Sequence, residues 1–156
     1  MVPGFPSLAQ LAAEEDELQF TGFTNEDAWE LGSALVAAAR AQRAPVAIDI
    51  RRNGHQLFKA ALPGATPDND TWIERKARVV QRFAHSSLYV GQRSREAGQT
   101  FEAEFGLDPQ QYAAHGGAVP VTVRSVGQVG VVVVSGLPQV ADHLMVVAAM
   151  RAHLGR

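Results

Sequence analysis

Residues 115–150, HGGAVPVTVRSVGQVGVVVVSGLPQVADHLMVVAAM, decide how this chain folds. Val119, Val121 and Val123 alternate with Pro120, Thr122 and Arg124, the two-residue period of a strand with one buried face. Pro120 has no N–H to donate to a ladder, so it marks a strand start or an edge. The turn lies in Ser125 to Gln128, where Gly127 takes positive φ at little cost. Val129 to Val134 follows as VGVVVV, apolar on both faces and β-branched, which predicts a central strand covered on both sides. Gly130 inside it marks a place where something packs close. Ser135-Gly136-Leu137-Pro138 then turns the chain into helical spacing from Gln139 to His153, since proline is tolerated at the first helical position. Free N–H groups at that helix start offer a place for an anion. The plainer reading is that Ser135 caps the helix. Leu144 to Met150 is apolar nearly all round, which predicts burial against the sheet on one side and another subunit on the other.

Upstream, Ser7 caps a helix from Leu8 through Glu17, whose run of Glu14, Glu15, Asp16 and Glu17 opposes the helix dipole and disfavours a longer one. Leu18, Phe20 and Phe23 alternate as a short strand. Thr24 with Asp27 forms a capping pair for a helix over Asn25 to Gln42, with Trp29, Gly32, Leu35, Val36 and Ala39 on one face and Pro45 as its stop. Val46, Ile48 and Ile50 face inward while Asp49 and Arg51 face out, a half-buried strand. Asn53-Gly54 is a strong type I′ hairpin signal, and His55 to Leu62 is the returning strand. Pro63 to Asp70 reads as a loop, with Asp68 or Asp70 capping a helix over Thr71 to Ala84. Trp72, Ile73, Ala77, Val80 and Phe83 form the apolar side of that helix. Ser86-Ser87 breaks it or sits inside it, and helical spacing resumes from Leu88 to Ala97. Thr100 to Phe105 continues as helix with Gly106 as its stop, and Asp108-Pro109-Gln110-Gln111 has the form of a capping box opening a short helix.

A chain of 156 residues without cysteine is one domain of ordinary size that needs no metal or disulfide staple. The missing thiols exclude thiol catalysis and thiolate metal centres and fit a reducing compartment. With 14 basic and 16 acidic residues and a net charge of −2, nothing steers the molecule toward nucleic acid. The opening MVPGFPSLAQ has no basic or apolar signal-peptide region, and no apolar run is long enough for a bilayer. The expectation is a cytoplasmic α/β (α+β) domain over residues 1–156, with an antiparallel sheet of about five strands and helices packed on it.

Histidines stand at 55, 85, 115, 143 and 153 without an HxH or HExxH pair, so no metal site is predicted locally. Only the fold could assemble one from His115, His143 and Asp142. A Ser135–His143–Asp142 triad is disfavoured, because VVVVSG lacks the first glycine of a nucleophile elbow and adjacent helical residues point apart. Arg75, Lys76, Arg78 and Arg82 read as a solvated helix face. The competing reading has Lys76, one turn beyond Trp72, facing a pocket and holding a carboxylate. Gly116-Gly117 ends a helix and starts a strand, or lines a ligand site beside His115.

The order LPGATPDNDTWIERKARVV, HSS, AAHGGAVPV and VVVSGLPQVADH is similar to a bacterial and fungal family grouped with GlcG-like and HbpS-like proteins in the haem-degrading-domain superfamily. Within it, SGLPQ-x-x-DH and DN-x-x-W-I-x-RK are the specific motifs, and the likeness spans nearly the whole chain. GlcG-like relatives tend to carry a second glycine where this chain has Leu137-Pro138. The resemblance implies a profilin-like sandwich that assembles into homo-oligomers, in a superfamily with haem-binding and corrinoid-associated members. Its signature positions fall on Asn69, Trp72, Lys76, Ser86, Ser87, His115, Gly116, Gly117, Ser135, Gly136, Pro138, Asp142 and His143. The expected function is non-enzymatic binding of a small ligand or partner in a homo-oligomer joined through the C-terminal helix, with a pocket between the Trp72 helix and the Ser135 corner. No cofactor is predicted for this function, and haem is the one the resemblance allows. The alternative is haem binding or degradation with His115 or His143 on iron. A second alternative is an enzyme acting on a small anionic metabolite, through Lys76 and the helix start near Pro138.

Overall fold

Two antiparallel hairpins side by side make the sheet. The first joins β1 (Ala47–Arg52) to β2 (His55–Ala61), through Asn53 and Gly54 at φ 51° and 79°, the two positive values a type I′ turn requires. The second joins β3 (Ala118–Val123) to β4 (Gly127–Ser135). Strand order is β2-β1-β4-β3, so β4 is interior and β3 is an edge that accommodates Pro120. This computed structural model describes residues 4–156; residues 1–3, which open the segment read above as no signal peptide, lie outside the described residues.

Strand alternation sends side chains to two separate cores. Val46, Ile48, Ile50, Val119, Val121, Val132 and Val134 face α2 (Asn25–Gln42) and α6 (Gln139–Leu154). Ala47, Ala118, Val131 and Val133 face α3 (Pro67–Phe83), meeting Ile73, Ala77 and Val80. VGVVVV is therefore covered on both sides, as its composition predicts. Gly130 lies against the Arg51 carbonyl, which leaves no room for a Cβ. Beyond α3, α4 (Ser87–Glu96) and α5 (Phe101–Phe105) enclose a third cluster around Val79, Val90 and Phe101. The first helix, α1 (Leu8–Glu17), packs on α4.

The capping predictions hold where the signal is local. Ser7 with Gln10 and Thr24 with Asp27 form reciprocal capping boxes at the heads of α1 and α2. The α2 helix ends at Arg43 in the left-handed region, ahead of Pro45.

Several expectations are corrected by packing. The sheet has four strands rather than about five, because the Leu18–Phe23 segment contributes a single parallel bridge, Phe20 to Val123. Phe20 and Phe23 instead bury edge to face, ring centres 5.3 Å apart. Trp29 is 60% exposed; the buried face of α2 runs through Ala28, Leu31, Gly32, Leu35 and Ala39. Asp49 is buried, not outward in solvent, because α3 covers that face and Arg51 and Gln56 donate to its carboxylate. The third helix starts at Pro67, four residues before the expected Thr71, so Asp68 and Asp70 lie in its first turn rather than capping it. Its head is closed by Asn69, whose Oδ1 accepts the Thr66 N–H at 2.8 Å. Asp108 to Gln111 forms only a turn, in which Asp108 accepts from the Gln110, Gln111 and Tyr112 amides.

Candidate functional site

Where β4 ends and α6 begins, an open cleft of about 280 Å³ lies between that corner and α3. Its walls include Asn69, Trp72, Lys76, His115, Ser135 and Gly136, with Asp142 at the floor. Three elements distant in sequence meet here because α3 packs across β4.

Lys76 is not part of a solvated face: it is 3% exposed, since its position on α3 points at the sheet. Its Nζ donates to Asp142 Oδ2 at 3.1 Å and to the Val134 carbonyl at 3.2 Å. Asp142 is 1% exposed and accepts from the Leu137 N–H at 2.9 Å and the Gly136 N–H at 3.3 Å. Burial pushes the Asp142 pKa up, against the lowering pull of Lys76 and the two backbone N–H groups. Burial pulls the Lys76 pKa down, against the raising pull of Asp142. Both directions have one cause: each ion is taken out of water into a dry floor, and the pairing offsets that only in part.

Asp142 thereby occupies the corner's free N–H groups. Ser135 does not cap the helix; it ends β4, and the N-cap position is Pro138, without a side-chain cap.

The two glycines before β3 are fixed by crowding around this pair. Gly117 has φ 130°, and a Cβ there would stand 2.7 Å from Lys76 Nζ and 3.1 Å from Asp142 Cβ. A Cβ on Gly116 would press on the Gln139 backbone and stand 3.3 Å from His143 Cβ. Gln139 also receives the Gly116 N–H on Oε1 at 2.9 Å. Gln139 is a site residue missed among the candidates, although it stands inside the SGLPQ motif.

His115 is exposed at the rim and meets the Trp72 ring at 5.2 Å between centres, tilted by 51°. The Arg75 guanidinium lies 4.3 Å over the indole and donates to the Pro109 carbonyl at 2.7 Å. Partial burial, then the charges of Lys76 and Arg75, hold the His115 pKa below its ordinary value. The imidazole is therefore neutral near pH 7, with a ring nitrogen available to a metal or a hydrogen-bond donor.

Three other candidates lie outside the cleft walls. Ser86 caps α4 by accepting the Tyr89 N–H at 3.1 Å. Ser87 Oγ accepts the Ala118 N–H at 3.1 Å and so ties α4 to β3. His143, fully buried, has Nε2 2.6 Å from Glu14 Oε1. It faces α1 while its neighbour Asp142 faces α3, so neither a triad nor a His115–His143–Asp142 metal centre forms. Among the described residues, the group with ligand atoms close enough for a metal is Asp27, Glu30 and His153, within 4.8 Å of one another. One Asp27 oxygen there is already held by the Thr24 N–H.

The architecture is a mixed α/β sandwich, a four-stranded antiparallel sheet between helices with a cleft at the exit of its interior strand. Residues 23–151 match the family described as haem degrading protein HbpS-like, and the chain belongs to that family. It is similar to a UPF0303 protein of Streptomyces coelicolor, 58% identical over 98% of this chain and 97% of the relative. Among solved structures, the Ybr137w protein superposes with a TM-score of 0.88 at 38% identity, over 95% of this chain and 88% of that one. HbpS superposes with a TM-score of 0.66 at 26% identity, over 88% of this chain and 94% of that one. Among the described residues no helix is long and apolar enough to cross a membrane.

Proposed function

We propose that this chain is a cytoplasmic, non-enzymatic binding protein that takes a small ligand in the cleft between α3 and the β4–α6 corner. The supporting observation is the mutual neutralisation of Lys76 and Asp142 at 3.1 Å on the cleft floor. The strongest acid–base pair of the site is spent internally, and among the described residues the Ser135 hydroxyl makes no hydrogen bond to a base that would activate it as a nucleophile. What remains for recognition is the Trp72 indole and the His115 imidazole, inclined at 51° to each other, over a fixed polar floor, the usual form of a binding pocket. Near 280 Å³, the cleft is at the lower edge of the roughly 300–1,000 Å³ typical of ligand sites.

Assembly is the second part of the proposal. Leu144 on α6 is 52% exposed, and Ala148 one turn on is exposed as well, so this apolar strip would meet a second copy of the chain. Light scattering of wild type against Leu144→Glu tests it; an unchanged mass would remove α6 from the interface.

A second reading, haem binding, is favoured by the family and by the neutral, exposed His115. His115 is then the iron ligand, since both the burial of His143 and its contact with Glu14 keep it from a ligand at the surface. A thermal-shift screen of small metabolites and a hemin titration separate the readings. Hits that vanish in Trp72→Ala and His115→Ala support the cleft; hits indifferent to both refute it. A saturable Soret shift lost in His115→Ala supports haem, and no shift disposes of it.

A further inference from the structure

His115 also lines a second cleft, of about 180 Å³, with Gly91, Arg95, Gln99, Thr100 and Ala114 among its walls. The two clefts therefore share one side chain. Arg95 is held in place from two directions. Its Nε–H donates to the buried Gln92 Oε1 at 2.9 Å, and Gln92 Nε2 in turn donates to Glu96 Oε2 at 2.9 Å. The guanidinium carbon lies 4.0 Å over the Phe5 ring. Gly91 leaves it space: a Cβ there would collide with the Ala114 carbonyl and stand 3.3 Å from Arg95 Nη1.

A guanidinium this well placed normally has an acid to meet. Arg51, another half-buried arginine, has two, Asp49 and Glu74, whereas Arg75, also half-buried and without an ion pair among the described residues, donates to the Pro109 carbonyl. Among the described residues Arg95 takes part in no ion pair, and its Nη2 is enclosed without a hydrogen-bond partner. Glu102 lines the same cleft but is exposed and makes no bond to it. Burial alone, with no carboxylate to offset it, lowers the Arg95 pKa, and Arg95 is close enough to His115 to help depress the imidazole pKa. A charge desolvated and left unmatched is stabilised by whatever anion reaches it.

We infer that the Arg95 cleft is the anion subsite of the same ligand site. It receives a carboxylate carried by an aromatic ligand whose body rests against Trp72 and His115. The inference rests on the cleft reading above and narrows it to ligands with an aromatic body and an acidic arm. With Nε–H given to Gln92 and Nη2 enclosed, the contact is a single charge-assisted hydrogen bond from Nη1 rather than a two-point fork.

Hemin and its dimethyl ester, the same macrocycle with and without free carboxylates, are the probes. Each is titrated by absorbance into the full chain, wild type and variants. Hemin binds at least about tenfold more tightly than the ester, the size of one charge-assisted contact. Arg95→Gln weakens hemin by a similar factor and the ester by less than about twofold, whereas Trp72→Ala and His115→Ala weaken both. Equal binding of the two porphyrins, equal loss of both in Arg95→Gln, or binding of neither overturns the subsite. Selective loss in Arg95→Gln with no effect of Trp72→Ala or His115→Ala keeps the subsite and rejects the Trp72–His115 wall. If Arg95→Gln does not fold, Arg95→Lys, which keeps the charge and loses the Nε–H bond to Gln92 that positions it, and the wild-type comparison of hemin with its ester decide between the same outcomes.

Discussion

Replacing Lys76 by methionine removes the ammonium while keeping a chain of similar length in the same slot. Asp142, 1% exposed, is then left with the Gly136 and Leu137 N–H groups and no counter-ion. Breaking a buried pair from one side costs about 3–5 kcal/mol, which for a domain of this length is a fall in Tm of roughly 6–20 °C. The double variant Lys76→Met/Asp142→Leu removes the orphan charge. It also unmakes two backbone contacts worth about 1 kcal/mol each, so its stability falls between wild type and the single variant.

The pH dependence follows from the direction of the Asp142 shift. Burial already raises its pKa, and Lys76 is among the groups pulling it down, so losing Lys76 raises it further. A carboxyl whose folded pKa lies above its unfolded value is a burden at any pH above the folded value. That burden fades as pH falls through the folded pKa toward the unfolded one. The deficit of Lys76→Met is therefore largest near pH 7 and shrinks toward pH 4. Urea unfolding of wild type and variant at several pH values across that range measures it directly. A deficit below about 1 kcal/mol near pH 7, or one that widens on acidification, would refute the buried pair.

Three further outcomes are expected. Glu14→Ala leaves His143, whose Nδ1 already lacks a partner, with no bond on either nitrogen; the loss is about 1–3 kcal/mol, with faster amide exchange in α1 by hydrogen–deuterium exchange. Gly117→Ala and Gly127→Ala both impose positive φ on alanine, but only Gly117 has neighbours in the way, whereas Gly127 has nothing within 4 Å. The first therefore loses clearly more than the roughly 1–3 kcal/mol of backbone strain expected of the second, as urea midpoints will show. His115 titrates below its ordinary value in an NMR pH series because burial, Lys76 and Arg75 disfavour its charged form; a midpoint at or above about 6.5 counts against that environment.

Local chemistry was legible in the sequence and long-range pairing was not. Ser7 with Gln10, Thr24 with Asp27, and Asn53-Gly54 act on neighbours within three residues, so their types alone locate two helix starts and a hairpin. VGVVVV announced an interior strand because both of its faces are apolar. PGATPDND misled because proline, aspartate and asparagine serve turns and first helical turns alike, and only the Thr66–Asn69 contact separates the two. Trp29 misled because its α2 position lies off the buried stripe, against Phe58 at 5.7 Å. The acidic end of α1 read as a helix stop. Its carboxylates in fact reach across the fold, Glu14 to His143, Glu15 to the Ser86 N–H, and Glu17 to Arg151. For the cleft, resemblance supplied Trp72, Lys76, His115 and the Ser135 corner. Resemblance also supplied Asp142, but not that it pairs with Lys76: the two stand 66 positions apart, and no periodicity links them.

That pairing also bears on catalysis of an anionic substrate. The case for it had two supports in the sequence, a cationic Lys76 and the unfilled N–H groups ahead of α6. Both converge on one internal carboxylate: Asp142 takes the ammonium on Oδ2 and the Gly136 and Leu137 N–H groups on its two oxygens. An incoming anion in this cleft would have to displace Asp142 from its buried pair or sit beside its carboxylate, and the charge of Asp142 opposes either. Among the described residues, Arg95, one cleft over, carries a positive charge at the edge of the site that no carboxylate matches. Under the anion-subsite proposal, recognition of an acidic ligand therefore falls on α4 rather than at the β4–α6 corner, and His115, common to both clefts, is the side chain such a ligand would have to cross.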